Sequence, residues 1–223
     1  MNTLNHIAFI MDGNGRWGKK KKKNRNSGHL KGVNTVKKVV EASIKLKIPF
    51  VSFYVFSTEN WKRPRNEISF LFKLVSSYFI KELNNVVKNG IKIKIIGEIN
   101  RLPKKLKNIL KKTVSKTKQN KKIEVILALN YGSKKELVNS FKKIKKKNIT
   151  ESMINKNLYT NKIPDPEILI RTGGKKRLSN FMLWQLAYSE LYFLNKLWPD
   201  FSPIDLKKII TDYHKIKRNF GNI

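Results

Sequence analysis

The chain has 223 residues, 49 Lys or Arg against 15 Asp or Glu, a formal net charge of +34 and no cysteine. That length is ample for one domain with a buried core, and an apolar content of 40% excludes a disordered basic tail. The lack of cysteine excludes disulfide frameworks, cysteine zinc sites and thiolate catalysis. No apolar run approaches the roughly 18 residues of a spanning helix. The first five residues carry no basic or apolar leader, so a cytoplasmic protein is expected.

The elements follow in chain order. His6–Met11 reads as a strand leading into a Gly-rich loop, and Leu30–Leu46 as a helix ended by Pro49. Phe50–Phe56 is a second strand, aromatic and β-branched. Ile68, Leu71, Phe72, Val75 and Phe79 mark one face of a long helix. Ile91–Ile96 is a strand, Leu102–Lys118 a helix, Ile123–Asn130 a strand and Lys135–Lys147 a helix. Residues 149–165 are polar with weak periodicity. Ile168–Ile170 is a short strand, Phe181–Ser189 is expected to be helical, Leu191–Leu194 is a last strand and Asp205–Lys217 a last helix. This alternation predicts one α/β domain over residues 1–223. It has a mostly parallel sheet of about six strands, with helices on both faces. Ligands then bind where the strands end, after Met11, Phe56, Asn130 and Ile170.

The charge is mostly lysine, 41 Lys against 8 Arg, alongside 25 Ile, 24 Asn and 4 Ala. That is the residue usage of an A/T-rich coding sequence. The lysines are spread along the chain, with dense runs only at Lys19–Lys23 and Lys142–Lys147. We read the charge as compositional drift, and expect no specific nucleic acid. The field still draws polyanions, acidic lipid and phosphorylated substrates. Arginine is the more informative cation here, because its planar fork grips phosphate with two donors. Arg16, Arg25, Arg63, Arg171 and Arg177 all lie in segments rich in Gly, Asn, Ser and Trp.

The first loop, Asp12-Gly13-Asn14-Gly15-Arg16-Trp17-Gly18, formally matches a dinucleotide fingerprint. Trp17 and the five lysines after Gly18 argue against that use. The loop suits an anion better. Gly13 and Gly15 let backbone amides approach it, and Arg16, Arg25 and His29 add donors. Asp12, the one carboxylate in that loop, is either a Mg²⁺ ligand beside a phosphate or a turn residue paired with Arg16. The second loop, Ser57-Thr58-Glu59-Asn60-Trp61-Lys62-Arg63-Pro64, offers relay groups in Ser57 and Asn60, or simply a helix cap. The third, Arg171–Asn180, gathers Arg171, Arg177 and Ser179 around two glycines. It is either a second phosphate site or a solvated basic turn.

His6–Trp17, Phe56–Pro64, Asn130-Tyr131-Gly132, Arg171–Asn180, Trp184–Phe193 and Trp198–Phe201 together resemble the motifs of the cis-prenyltransferases, in order, over nearly the whole chain. The match is best to the bacterial branch that forms undecaprenyl diphosphate. The resemblance implies a Mg²⁺-dependent homodimer that elongates farnesyl diphosphate with isopentenyl diphosphate. It gives Asp12 and Glu190 to Mg²⁺, with Glu190 near the dimer interface. It gives Gly13, Asn14, Gly15, Arg16, Arg25 and His29 to the allylic diphosphate, and Arg171, Arg177 and Ser179 to isopentenyl diphosphate. Asn60 and Ser57 serve proton removal, with Asn60 as acceptor or relay. Trp17, Thr58, Glu59, Trp61, Arg63 and Leu178 contact substrate. The apolar helix face lines a tunnel for the growing chain, and peripheral membrane contact would serve product release. Three positions depart from the family pattern. Lys175 stands where Glu is usual, Ser133-Lys134 where Gly-Arg is usual, and Asn219-Phe220-Gly221 where Arg-x-Gly is usual. A weaker rather than inactive enzyme is expected.

Overall fold

A computed structural model describes residues 2–22, 24–146 and 148–218. Six strands form one sheet: β1 (His6–Ile10), β2 (Phe50–Ser57), β3 (Ile91–Ile96), β4 (Ile123–Tyr131), β5 (Ile168–Arg171) and β6 (Glu190–Phe193). Their order is β3-β4-β2-β1-β5-β6, and every pairing is parallel. The expected α/β domain with helices on both faces is what forms. All five residues of β1 are buried, as a central strand covered on both sides requires. Alternation then divides the core. Ile7 and Phe9 join a large cluster on one face, while Ala8 and Ile10 join a smaller one on the other.

The helices are α1 (Asn14–Lys22), α2 (Arg25–Lys45), α3 (Arg65–Lys88), α4 (Lys104–Thr117), α5 (Ser133–Lys143), α6 (Glu151–Asn157) and α7 (Pro203–Lys215). The larger cluster draws on α2, α3, α4 and α7. Several sequence expectations are corrected. The segment after Met11, expected as a loop, becomes α1 within three residues, and α2 starts five residues before Leu30. Asn24 makes that early start possible, because its side chain accepts the Asn26 N–H and caps α2. The polar stretch 149–165 contains α6, capped by Thr150. Phe181–Ser189 is not a helix but a run of turns. Ser179, Asn180 and Met182 hold positive φ there, and the Leu183 N–H is taken by Ser133 Oγ at 2.9 Å. The helix expected over Lys135–Lys147 ends at Lys143. The departure at Asn219–Gly221 lies outside the described residues.

Two irregularities shape the carboxyl ends of the strands. In β2, Tyr54 pairs with Ala128 and Phe56 with Leu129, so Val55 is an extra residue. In β4, Asn130 is extra in turn, at φ +48°. The bulge breaks the alternation and puts both Val55 and Phe56 against the larger cluster. The α1–α2 hairpin is equally specific. A Cβ on Gly28 would overlap the Asn14 carbonyl, and one on Gly18 the Asn24 carbonyl. Gly18 thus serves close helix–helix packing, which the sequence pattern did not reveal.

Candidate active site

A polar crevice of about 690 Å³ lies across the carboxyl ends of β1, β2 and β5. Fourteen of the residues singled out in the sequence line it: Asp12 to Arg16, Arg25, His29, Ser57, Glu59, Asn60, Arg63, Arg171, Arg177 and Ser179.

Asp12 sits just beyond β1, its backbone fixed by Thr172 Oγ1 (2.8 Å) and the Trp198 N–H (3.1 Å), both donating to its carbonyl. Its carboxylate takes one arginine on each oxygen: Arg171 Nη2 on Oδ2 at 3.0 Å and Arg16 Nη2 on Oδ1 at 3.2 Å. Arg16 also donates to the Gly173 carbonyl at 2.7 Å. Gly173 sits at φ +88°, a conformation that favours glycine, and a Cβ there would also crowd the Asp12 backbone at 3.1 Å. Arg171 is nearly sealed from solvent and donates further to Ser179 Oγ (2.7 Å) and to the Arg177 carbonyl. Its Nε is buried without a partner. Arg177 itself is exposed on the crevice rim.

On the opposite wall the organising group is Glu67, in the first turn of α3, which the sequence reading missed. Its buried carboxylate accepts Arg25 Nε (3.2 Å), Arg25 Nη2 (3.1 Å) and Arg63 Nη1 (3.2 Å), and His29 Nε2 lies 3.4 Å away. Burial alone would raise the Glu67 pKa, but the Arg25 hydrogen bonds and the surrounding positive charge outweigh it and hold the pKa below normal. Burial lowers the His29 pKa, against the pull of Glu67, so His29 is held neutral. The available signal for Glu67 was its spacing, four residues after Arg63 at a helix start.

Between the two walls, Ser57 and Asn60 form a capping box, with the Ser57 N–H donating to Asn60 Oδ1 at 3.1 Å. Glu59 is exposed. Burial works against its ionisation, but hydrogen bonds led by that of Asn180 leave its pKa lowered. Five of the expected residues lie outside the crevice lining. Trp17 turns away to donate to Asp200 at 2.7 Å. Thr58 donates to Glu59, and Leu178 packs into the smaller core cluster. Trp61 donates to Asn130 Oδ1 at 2.8 Å and stands edge-on to Phe56 and Phe72. Glu190 begins the edge strand β6 opposite Ile168, at the amino end of the sheet, whereas Asp12 follows the carboxyl end of β1, and Arg218 Nε lies 3.6 Å from Glu190. One chain does not bring Glu190 and Asp12 together.

Beside the crevice lies an apolar cavity of about 190 Å³ between α2, α3 and the sheet. Leu71, Phe72, Val75 and Phe79 line it as the helix pattern suggested, facing Val33, Val36 and Val40. Ile68 is buried in the core instead. Met11, Asn14, His29, Val55 and Leu71 line both spaces and form the throat between them. Asn14 Oδ1 and His29 Nε2 are buried there without hydrogen-bond partners.

The fold and site thus define a parallel α/β protein with two arginine clusters at its strand ends, beside an apolar cavity. Residues 10–221 match the family described as "Putative undecaprenyl diphosphate synthase". The chain is 45% identical to the isoprenyl transferase of Rickettsia felis, over 99% of this chain and 95% of that one. It is 44% identical to the isoprenyl transferase of Fusobacterium nucleatum, over 100% and 97%. Among solved structures it resembles lavandulyl diphosphate synthase from Lavandula x intermedia in complex with dimethylallyl diphosphate, with a TM-score of 0.94 and 32% identity over 99% of each chain. It also resembles a "probable undecaprenyl diphosphate synthase" from Campylobacter jejuni, with a TM-score of 0.86 and 34% identity over the whole of both chains. The chain belongs to the undecaprenyl diphosphate synthase family of prenyltransferases.

Proposed function

We propose that this prenyltransferase condenses isopentenyl diphosphate units onto farnesyl diphosphate. The product is a long-chain cis-polyprenyl diphosphate of the undecaprenyl class, precursor of the lipid carrier for cell-wall glycan. The observation that carries the reading is the throat, which joins a crevice of arginines to a cavity of aliphatic and aromatic side chains.

The allylic diphosphate lies against the first turn of α1, Arg16, Arg25 and Arg63, with its tail passing the throat. The free N–H groups of that turn and the arginine forks favour the charge that grows as the carbon–oxygen bond breaks. Isopentenyl diphosphate lies against Arg171, Arg177 and Ser179. Its double bond attacks the allylic carbon, a carbon–carbon bond forms, diphosphate leaves with the bonding pair, and one proton departs. Asn60 and Ser57 sit between the walls to relay that proton. Phe56 and Phe72, backed by Trp61, keep water from the carbocation-like centre.

Mg²⁺ suits the donor set. It takes one or two carboxylates plus substrate oxygens. The Asp12 carboxylate is partly exposed, and each oxygen accepts one arginine with a lone pair to spare. Among the described residues no three His, Asp or Glu side chains gather to hold a metal alone. Asp12 would therefore hold an ion that arrives with the diphosphate, and that ion would supply further neutralisation of the leaving group. Glu190 would contribute from the interface of a homodimer. The protein is cytoplasmic in this reading.

Incubation with farnesyl diphosphate, radiolabelled isopentenyl diphosphate and Mg²⁺, followed by chain-length analysis, tests the proposal. A ladder of long polyprenyl diphosphates is expected. No incorporation of label would reject it.

A further inference from the structure

The far end of the apolar cavity, away from the crevice, lies between the last turns of α2 and α3, where Ile44, Val86 and Asn89 line it. Three turns meet there. Residues 45–49 run from the last residue of α2, 88–90 from the last residue of α3 and 116–122 from the last two residues of α4, all at the amino edge of the sheet. They are laced into one surface. The Glu124 N–H donates to the Pro49 carbonyl at 2.8 Å, the Lys122 N–H to the Gly90 carbonyl at 3.0 Å, and Asn120 Nδ2 to the Ile91 carbonyl at 2.7 Å.

These fifteen residues hold seven lysines and no Asp or Glu. Lysine is 41 of 223 residues overall, so uniform drift would place about three here. Lys45 and Lys47 come from the first turn, Lys88 from the second, and Lys116, Lys118, Lys121 and Lys122 from the third. All seven are exposed, and none meets a carboxylate among the described residues. Lys45, Lys88 and Lys116 complement the helix carbonyl ends. Lys47, Lys121 and Lys122 lie beyond any helix, and Lys47 stands at φ +56°. Amid this charge Leu46 and Val87 are each 38% exposed, next to Ile44 and Val86 of the cavity wall.

We propose that this face seats the protein on an anionic lipid bilayer. The lysines meet the headgroups, Leu46 and Val87 meet the interface, and the far end of the cavity opens toward hydrocarbon. An unpaired cationic surface beside an aliphatic opening is complementary to anionic lipid, which offers charge and hydrocarbon at one boundary. A nucleic acid offers the charge alone. The use of the cavity end rests on the proposed function, but the binding does not.

The test is co-sedimentation with vesicles of phosphatidylglycerol and phosphatidylcholine, and with pure phosphatidylcholine, at about 150 mM salt. The variant Lys47→Gln/Lys118→Gln/Lys121→Gln/Lys122→Gln is compared with a charge-matched control, Lys135→Gln/Lys142→Gln/Lys145→Gln/Lys146→Gln, which touches the denser lysine run. A lysine near an anionic surface is worth about fivefold in partition. The first variant should therefore lose at least about fiftyfold on the anionic vesicles, and the control less than about threefold. Thermal melts confirm that both fold. Equal losses in the two variants would overturn the proposal, since net charge alone would then explain binding. So would equal binding to neutral vesicles. A single-stranded RNA that binds this face more tightly than the vesicles do would assign the surface to nucleic acid and also overturn it. Prenyl transfer in detergent should be unchanged in the first variant. A chain without transferase activity that still shows the vesicle difference would remove the proposed function and leave the docking face standing.

Discussion

Arg171 ties the loop after β5 to the loop after β1 through Asp12: its Nη2 donates to Asp12 Oδ2 at 3.0 Å, while its Nη1 holds Ser179 Oγ and the Arg177 carbonyl. A nearly buried arginine so fully engaged is a structural clasp, whereas Arg177 is exposed and free to move to a ligand. The two should therefore respond differently to the same change. Arg177→Lys keeps the charge and loses the fork, so the KM for isopentenyl diphosphate should rise about tenfold, with that for farnesyl diphosphate little changed. Arg171→Lys should lower the melting temperature and raise both KM values, because one ammonium cannot span three partners. Steady-state kinetics on both substrates, with a thermal melt, measure this.

Asp12→Asn preserves an acceptor for the arginines while removing the charge. Turnover should fall at least about 10³-fold, roughly 4 kcal/mol of transition-state stabilisation. Asp12→Ala should lose stability as well, because it leaves the buried Arg171 without its carboxylate. Retention of a tenth of the parent kcat by the Asn variant would make Asp12 a structural residue.

Glu67→Gln removes the one negative charge shared by Arg25, Arg63 and His29. The arginine forks lose their common anchor, so kcat/KM for the allylic diphosphate should fall about thirtyfold or more. Since Glu67 raises the His29 pKa against burial, the variant should lower that pKa further. Titration of the His29 ring by NMR reads the shift. An unchanged titration would show that Glu67 and His29 are not coupled.

Leu71 lies at the throat and Val40 deeper in the cavity. Leu71→Trp should therefore stop growth after the first one or two condensations, while Val40→Phe should allow several and then truncate. If both positions were ordinary packed core, each variant would instead lose about 1–3 kcal/mol of stability and any remaining product would be full length. Product chromatography beside a thermal melt separates the outcomes.

His6 is fully buried, its ring between the Pro164 carbonyl and Ser52 Oγ, each at 2.7 Å. Burial lowers its pKa from 6.5 to about 4, against the Pro164 hydrogen bond. The ring stays neutral in the fold while the unfolded chain takes up a proton below pH 6.5. Stability should thus fall from pH 6.5 toward 4, by about 2–3 kcal/mol from this group, and be unaffected by it above pH 7. Denaturant titrations at pH 7 and 4.5 should show a drop that is smaller by about that amount in His6→Gln.

The strands were legible because a parallel sheet covered on both faces demands runs such as His6–Ile10 and Ile123–Tyr131, and their order placed the loops correctly. The arginine and glycine loops were legible because their few arginines stand out among the lysines and the strand order puts them at one end of the sheet, where they line one crevice. Glu67 was not, since a glutamate at a helix start is ordinary until the fold brings Arg25 and His29 to it from another element. The throat was hidden for a similar reason. Val55 faces it because of a bulge, and a bulge leaves no mark in periodicity. The turns over Phe181–Ser189 were misread as helix because the signals that break it, positive φ at Ser179, Asn180 and Met182 and the Ser133 hydroxyl on the Leu183 N–H, are tertiary or lie on residues without glycine.

The glycine contact between α1 and α2 has a mechanical side. Gly18 and Gly28 bring the two backbones too close for any side chain, so the two helices are locked into one packed unit. One arm carries Asn14, Gly15 and Arg16 in the crevice, and the other carries Val33, Val36 and Val40 in the cavity wall. A substitution at Gly18 or Gly28 that forced the two arms apart would therefore reshape the crevice and the cavity together, although neither glycine lines the crevice itself.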